Sequence, residues 1–91
     1  MRYSYKPSFA KTLKGLSPAI KIAIKEAIKK LIIFFETGQQ PQGLGLKKLK
    51  GRFWEIRVGL KIRVIFQLCD DLVEFIIVGT HDAIKKYLRR V

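Results

Sequence analysis

Apolar and polar residues alternate through much of the second half of this 91-residue chain. Between Arg52 and His81 the apolar positions fall at Trp54, Ile56 and Val58, then at Ile62, Val64, Phe66 and Leu68, then at Val73, Phe75 and Ile77. A period of two marks half-buried strands, so the pattern predicts three consecutive antiparallel strands. A slip of one residue would turn a strand's apolar set toward solvent, so the same pattern predicts the register. Val58 opposes Ile62 across the loop 59–61, which sets Ile56 opposite Val64 and Arg57 opposite Arg63. The turn at Asp70 and Asp71 sets Leu68 opposite Val73, Phe66 opposite Phe75, Val64 opposite Ile77 and Val78 opposite Arg63. The rest of the chain is expected to cover the apolar face of these strands.

Upstream the period changes. Tyr3 to Lys6 fits a short first strand ended by Pro7, which has no N–H to give a ladder. Ser8 is a candidate N-cap for a helix reaching Lys14, with Phe9 and Leu13 on one side and Gly15 as the stop. Ser17 followed by Pro18 starts a second helix, because serine accepts from a free amide and proline at the first helical position loses no hydrogen bond. Ile20, Ala23, Ile24, Ala27, Ile28, Leu31 and Phe35 then recur at helical spacing, and the helix is expected to end at Thr37-Gly38. Ile22 and Ile33 lie on the opposite side and fit a partner interface or isolated exposure. Residues 39–45 (QQPQGLG) form a loop by their proline and glycine content. Asp82 to Arg90 fit a short terminal helix, with Asp82 as its cap and Ile84, Tyr87 and Leu88 on one face. The order predicts one α+β domain: an N-terminal strand and two helices packed on one face of a twisted antiparallel sheet, with a short C-terminal helix.

Charge narrows the function. Lys and Arg number 19 against 7 Asp and Glu, a net of +12, which calls for an acidic partner such as a nucleic acid or an acidic protein. The charges are interleaved with apolar residues, so the basic surface is a folded one. The single Cys69 has no second thiol for a disulfide or a shared metal, and no secretory apolar segment opens the chain. A reduced, cytoplasmic setting is expected. The longest uncharged apolar run, Leu31 to Phe35, is far short of the ~20 residues that span a bilayer. No His/Cys/Asp cluster has metal-ligand spacing and no glycine-rich phosphate loop follows a strand, so neither metal nor cofactor is predicted.

The candidate chemistry lies on the polar side of the strands. Arg57 and Arg63 oppose each other there, and like charges facing across a strand pair are destabilising unless an anion lies between them. Glu55 precedes Arg57 by two residues on the same face, and His81 follows the third strand. Lys47, Lys48, Lys50 and Arg52 lead into this face and form a candidate phosphate-contacting edge. His81 and Tyr87 are six residues apart, about 600° of helical rotation. Both serve one site only if His81 stands before the helix begins. A solvated face with scattered charges is the competing interpretation.

The order of these pieces, a short strand, two helices, the lysine-rich KKLKG, then RFWEIRV, IRVIFQL and FIIVGTHD before a terminal tyrosine, resembles the RelE/ParE superfamily of bacterial and archaeal type II toxins. The resemblance covers essentially the whole chain. In the RelE branch it implies a ribosome-dependent ribonuclease that cuts messenger RNA in the decoding site, restrained by a small antitoxin that wraps it. Arg63 matches the family's phosphate-binding arginine, with Phe66 where a tyrosine is common, and Arg57 matches a basic residue on the preceding strand. Glu55 departs from the pattern, standing where RelE has a basic residue. His81 stands where RelE has an arginine, but a histidine after Gly-Thr is similar to the YafQ-like branch, where it acts in proton transfer. Tyr87 matches the terminal aromatic, which stacks on a base or takes part in acid–base work.

RNA cleavage without a metal needs a base for the 2′-hydroxyl, positive charge around the phosphorane and an acid for the leaving oxygen; these residues are assigned with Glu55 as base, Arg63 and Arg57 stabilising charge, His81 as acid and Tyr87 stacking on the substrate. Glu55 also fits a simple neutralising role beside Arg57, and Tyr87 fits the packing of its helix. Two other functions are compatible with the sequence: a ParE-like inhibitor of DNA gyrase, and a basic RNA-binding domain without a reaction.

Overall fold

The computed structural model describes residues 1–39 and 42–90, so Gln40 and Pro41 of the expected loop lie outside the described residues. The chain runs β1 (Arg2–Tyr5), α1 (Pro7–Lys14), α2 (Pro18–Thr37), β2 (Lys47–Lys48), β3 (Phe53–Val58), β4 (Ile62–Cys69), β5 (Leu72–Thr80) and α3 (His81–Arg89). The α+β class is as expected. Among the described residues the sheet has the order β1-β5-β4-β3-β2. β1 joins β5 in parallel while the other pairs are antiparallel, which makes the sheet mixed.

α2 obeys its local signals, while the caps of α1 and α3 differ from those expected. Ser17 Oγ accepts from the Ile20 amide at 3.3 Å, and Gly38 closes α2 in the left-handed conformation at φ 76°, its N–H donating to Phe34 O. α1 begins at Pro7 with Lys6 at its N-cap and no side-chain cap, so Ser8 lies inside the first turn. Its hydroxyl donates instead to the carbonyl of Ile76 on β5, at 2.6 Å.

The β3–β4 register is the one the alternation predicts, including Arg57 opposite Arg63. Between β4 and β5 the predicted pairs hold from the turn as far as Phe66–Phe75, and then the register shifts by one. Ile76 is an extra residue on β5, so Ile65 pairs with Ile77, Val64 with Val78 rather than Ile77, and Arg63 with Gly79 rather than Val78. The run Phe75-Ile76-Ile77-Val78 is apolar throughout and has no period of two, so nothing in it marks where the alternation breaks.

The bulge distributes these residues between two cores. Val73, Phe75 and Val78 join Phe66, Val64, Ile56, Phe9, Ile24 and Leu31 under α1 and α2. Ile76 and Ile77 face the other way, and with Ile65 and Ile84 form a second buried cluster, bordered by Leu49, Phe53, Tyr87 and Leu88. The helical layer therefore covers one side of the sheet and α3 covers part of the other. The expectation that the chain covers a single face is corrected by this second cluster, whose apolar α3 stripe needed an apolar partner to bury.

Candidate functional site

α3 takes up one part of the outer face, and the end of the sheet beside the β3–β4 hairpin carries the candidate residues. On β3 the outer-facing side chains include Glu55 and Arg57, and on β4 they include Arg63. Glu55 pairs across the sheet with Lys47 on one side and Ile65 on the other. Arg63 pairs with Arg57 and Gly79. Side chains of directly paired residues share a face, so Lys47, Glu55, Arg57 and Arg63 stand together on it.

Arg63 is the unusual member. Its side chain is 14 % exposed and that of Glu55 11 %, and Arg63 Nε lies 3.9 Å from Glu55 Oε2. That is an ion-pair distance, too long for a hydrogen bond. Arg63 Nε and Nη1 are both buried and have no hydrogen-bond partner among the described residues. Buried donors normally find an acceptor, and a charged donor left without one is costly. A guanidinium presents its N–H groups as a planar fork that matches the oxygens of a phosphate or carboxylate. The guanidinium is thus short of acceptors, with one carboxylate near enough to offset part of its charge.

Arg57 is held differently. Its N–H donates to Leu44 O at 2.8 Å, which ties the loop before β2 to β3. Gly45, at φ 62°, crosses the stem of Arg57 so closely that an added Cβ would lie 3.0 Å from Arg57 Cγ. The stem is thus covered by backbone while the residue as a whole remains exposed. Only glycine combines that φ with that contact.

Gly79 does the corresponding work on β5. It is buried, and a Cβ there would come within 3.3 Å of Ala83 Cβ, so the first turn of α3 lies tight against the strand end next to Arg63. Thr80 caps that turn, its Oγ1 accepting from the Ala83 amide at 3.3 Å. Asp82, expected as the cap, is instead an acidic residue in the first turn, where it complements the helix dipole. His81 is the first helical residue and is exposed. It does not stand before the helix, so the helix cannot aim His81 and Tyr87 at one spot. Tyr87 packs at the edge of the second cluster with Ile84 and Leu88.

The basic edge divides. Lys47 faces outward beside Glu55, whereas its neighbour Lys48 pairs with Trp54, and its Nζ lies 6.0 Å from the centre of that ring. Lys50 is exposed in the turn. Arg52 lies past the other end of β3, with Nη1 donating to Cys69 Sγ at 3.5 Å. Five residues of strand separate it from Arg57, ~17 Å at ~3.3 Å per residue. The structure thus brings Lys47, Glu55, Arg57 and Arg63 together, sets His81 at the start of the helix that follows Gly79, and leaves Lys48, Arg52 and Tyr87 apart. Sequence reasoning missed Gly45 and Gly79, whose signal is the lack of a side chain next to a crowded arginine. Among the described residues no group of three or more His, Cys, Asp or Glu side chains could hold a metal ion, and no helix is long and apolar enough to cross a membrane.

No family model matches the sequence, and no curated protein matches it. Solved structures do. The RelB–RelE antitoxin–toxin complex of Methanococcus jannaschii matches with a TM-score of 0.71 at 26 % identity, over 91 % of this chain and 95 % of that one. The archaeal RelE–RelB complex of Pyrococcus horikoshii OT3 gives a TM-score of 0.66 at 19 % identity, over 87 % and 92 %. The DinJ–YafQ toxin–antitoxin complex of E. coli gives 0.63 at 23 % identity, over 89 % and 92 %. The chain has the fold of RelE-like type II toxins.

Proposed function

We propose that this protein is the toxin of a type II toxin–antitoxin system and that it cleaves messenger RNA on the ribosome without a metal. The observation that carries this reading is the Arg63 guanidinium, buried on the outer face with Nε and Nη1 unpartnered. In the proposed reaction a 2′-oxygen attacks the adjacent phosphorus, the P–O bond to the 5′-oxygen breaks, and the product carries a 2′,3′-cyclic phosphate. Arg63 and Arg57 stabilise the charge that builds on the phosphorane, the kind of preorganised term that is usually largest in catalysis. Glu55 takes the 2′-hydroxyl proton. His81, exposed at the start of α3, gives one to the leaving oxygen. Lys47 contacts RNA backbone, with Lys48, Lys50 and Arg52 farther along the edge, and Tyr87, turned away from His81, anchors α3 against the second cluster.

The partner in the resting state is an antitoxin. Supporting this, α1 and α2 form an apolar groove of about 640 Å³ with Phe9, Leu13, Ile24 and Ile28 in its lining and Lys21 and Lys25 beside them. Ile22, 65 % exposed, also lines it. An acidic segment with one apolar face fits both features, and ribosomes in the cytoplasm are the target once it is removed. The neighbours RelE and YafQ were crystallised with RelB and DinJ.

One observation favours a second reading. Glu55 offsets the charge of Arg63 at 3.9 Å, as suits a basic RNA-binding domain that performs no reaction. Adding the protein to translating ribosomes and mapping the 5′ ends of the messenger separates the two. New ends that vanish with Arg63→Ala support cleavage, and bound but intact messenger supports the binding domain. Intact messenger with inhibited DNA supercoiling supports the gyrase inhibitor.

A further inference from the structure

The bulge in β5 is held from a distance. β1 ends at Tyr5, opposite Phe75, and Lys6 gives the last backbone bond to that edge, from its N–H to Phe75 O. Beyond this point the edge of β5 is covered by α1 through two hydroxyls one helical turn apart. Ser8 Oγ donates to Ile76 O at 2.6 Å, and Thr12 Oγ1 accepts from the Val78 amide at 3.1 Å. Thr12 Oγ1 also has Ser8 O at 2.9 Å and Phe9 O at 3.0 Å as acceptors for its proton, which orients its lone pairs toward β5. The two hydroxyls thus satisfy a C=O and an N–H on either side of Ile77, at the place where the ladder to β4 shifts.

That shift determines what faces Arg63. Without the extra residue at Ile76, regular alternation would place Val78 opposite Arg63 and its isopropyl group on the guanidinium's face. With it, Val78 turns into the main core and Gly79 lies opposite Arg63. The first turn of α3, which carries His81, is carried along by the same residue, because it packs against Gly79.

We propose that Ser8 and Thr12 are positioning residues of the Arg63 site. By clamping the β5 bulge they keep glycine, and not valine, beside the guanidinium, and they fix where α3 begins. Neither side chain need touch the substrate. The proposal deepens the nuclease reading and rests on it for its effect on activity, while its structural part stands without it.

The test uses the full chain with Ser8→Ala, Thr12→Val, the double variant and Thr12→Ser, which keeps the hydroxyl. The direct readout is the cross-strand nuclear Overhauser contact between β4 and β5 in the free protein. The double variant is expected to lose the Arg63–Gly79 contact and gain Arg63–Val78, while Thr12→Ser keeps the wild-type pattern. In the ribosome assay the double variant is expected to lose ~10²-fold in kcat, the scale of a misplacement of about 1 Å, with KM changed far less and with Thr12→Ser restoring the rate. If the double variant does not fold, the two single variants, each removing one clamp, are read in the same way. Retention of the Arg63–Gly79 contact in variants lacking the hydroxyls overturns the proposal, whatever their activity. A wild-type protein that shows the contact and its loss in the variants but cuts no RNA upholds the clamp and defeats the nuclease reading instead.

Discussion

Arg63 on β4 faces Gly79 on β5, and this pairing exists because Ile76 inserts one extra residue into β5. A valine at that place would set an apolar side chain against a guanidinium whose Nε and Nη1 already lack hydrogen-bond partners. The glycine puts no side chain on that side of the arginine and lets the first turn of α3 lie tight against the strand end.

Gly79→Val is therefore expected to be costly in two ways. Its Cβ alone meets Ala83 Cβ at 3.3 Å, so the larger side chain forces the first turn of α3 outward, at ~1–3 kcal/mol by the usual scale of overpacking. Chemical denaturation measures that loss. Affinity for a short oligoribonucleotide is expected to fall as well, and Gly79→Ala is expected to lie between wild type and valine in both measurements.

Glu55→Gln distinguishes a base from a counter-charge. Removing a carboxylate about 4 Å from Arg63 strengthens phosphate binding, since a unit charge at that distance is worth up to ~4 kcal/mol at an effective dielectric of about 20. Titration with inorganic phosphate is expected to show at least about tenfold tighter binding. Cleavage is expected to fall by ~10²–10⁴-fold, the usual share of a positioned acid or base. Tighter binding with undiminished cleavage would leave Glu55 as a counter-charge only.

The proposed RNA-contacting edge is expected to act from one side of the sheet. Lys47 shares the face of Arg63, whereas Lys48 lies over Trp54 on the other side. Each contact with a single-stranded phosphate contributes about 0.7 to the slope of log affinity against log salt. Lys47→Ala should lower that slope by ~0.7, and Lys48→Ala should lower it less.

Alkaline pH tests the packing of β1 against α2. Tyr3 donates to Glu36 Oε1 at 2.7 Å, and its phenol is pushed up from 10.0 to about 12, by burial first and by the hydrogen bond to Glu36 second. The folded chain then holds this proton more tightly than the unfolded chain does. The contribution of Tyr3 to stability is fully present below the unfolded value of 10.0 and is lost as pH rises toward about 12. The stability difference between wild type and Tyr3→Phe should be constant up to about pH 10 and move in favour of the variant above it.

Much of this architecture was readable from the chain. Alternation located β3, β4 and the first half of β5 with their partners, because Trp54, Ile56, Val64 and Phe66 each have a polar neighbour on at least one side to mark the face. Ser17, Pro18 and Gly38 bounded α2 through their own backbone preferences. The pairing beside the site was not readable, because Phe75 to Val78 are all apolar and the bulge is held by Ser8 and Thr12, more than sixty residues away. The packing of α3 on the outer face does have a signal in the sequence. Ile65 is apolar on a strand face otherwise marked by Arg63 and Gln67, and the Ile84, Tyr87 and Leu88 stripe needed such a surface. Glu55, Arg57 and Arg63 were placed together by register alone. The split of Lys47 from Lys48 follows from the two-residue strand β2, too short to give a pattern of its own.

The central claim is that the Arg63 guanidinium waits for an RNA phosphate that is then cut. Its most direct test is to map messenger 5′ ends in a reconstituted translation reaction containing wild type, Arg63→Lys or Arg63→Ala. The account predicts new 5′ ends with the wild-type protein, fewer with lysine, which keeps the charge but lacks the planar fork, and none with alanine. Intact messenger with the wild-type protein, or equal cleavage by the alanine variant, would contradict it.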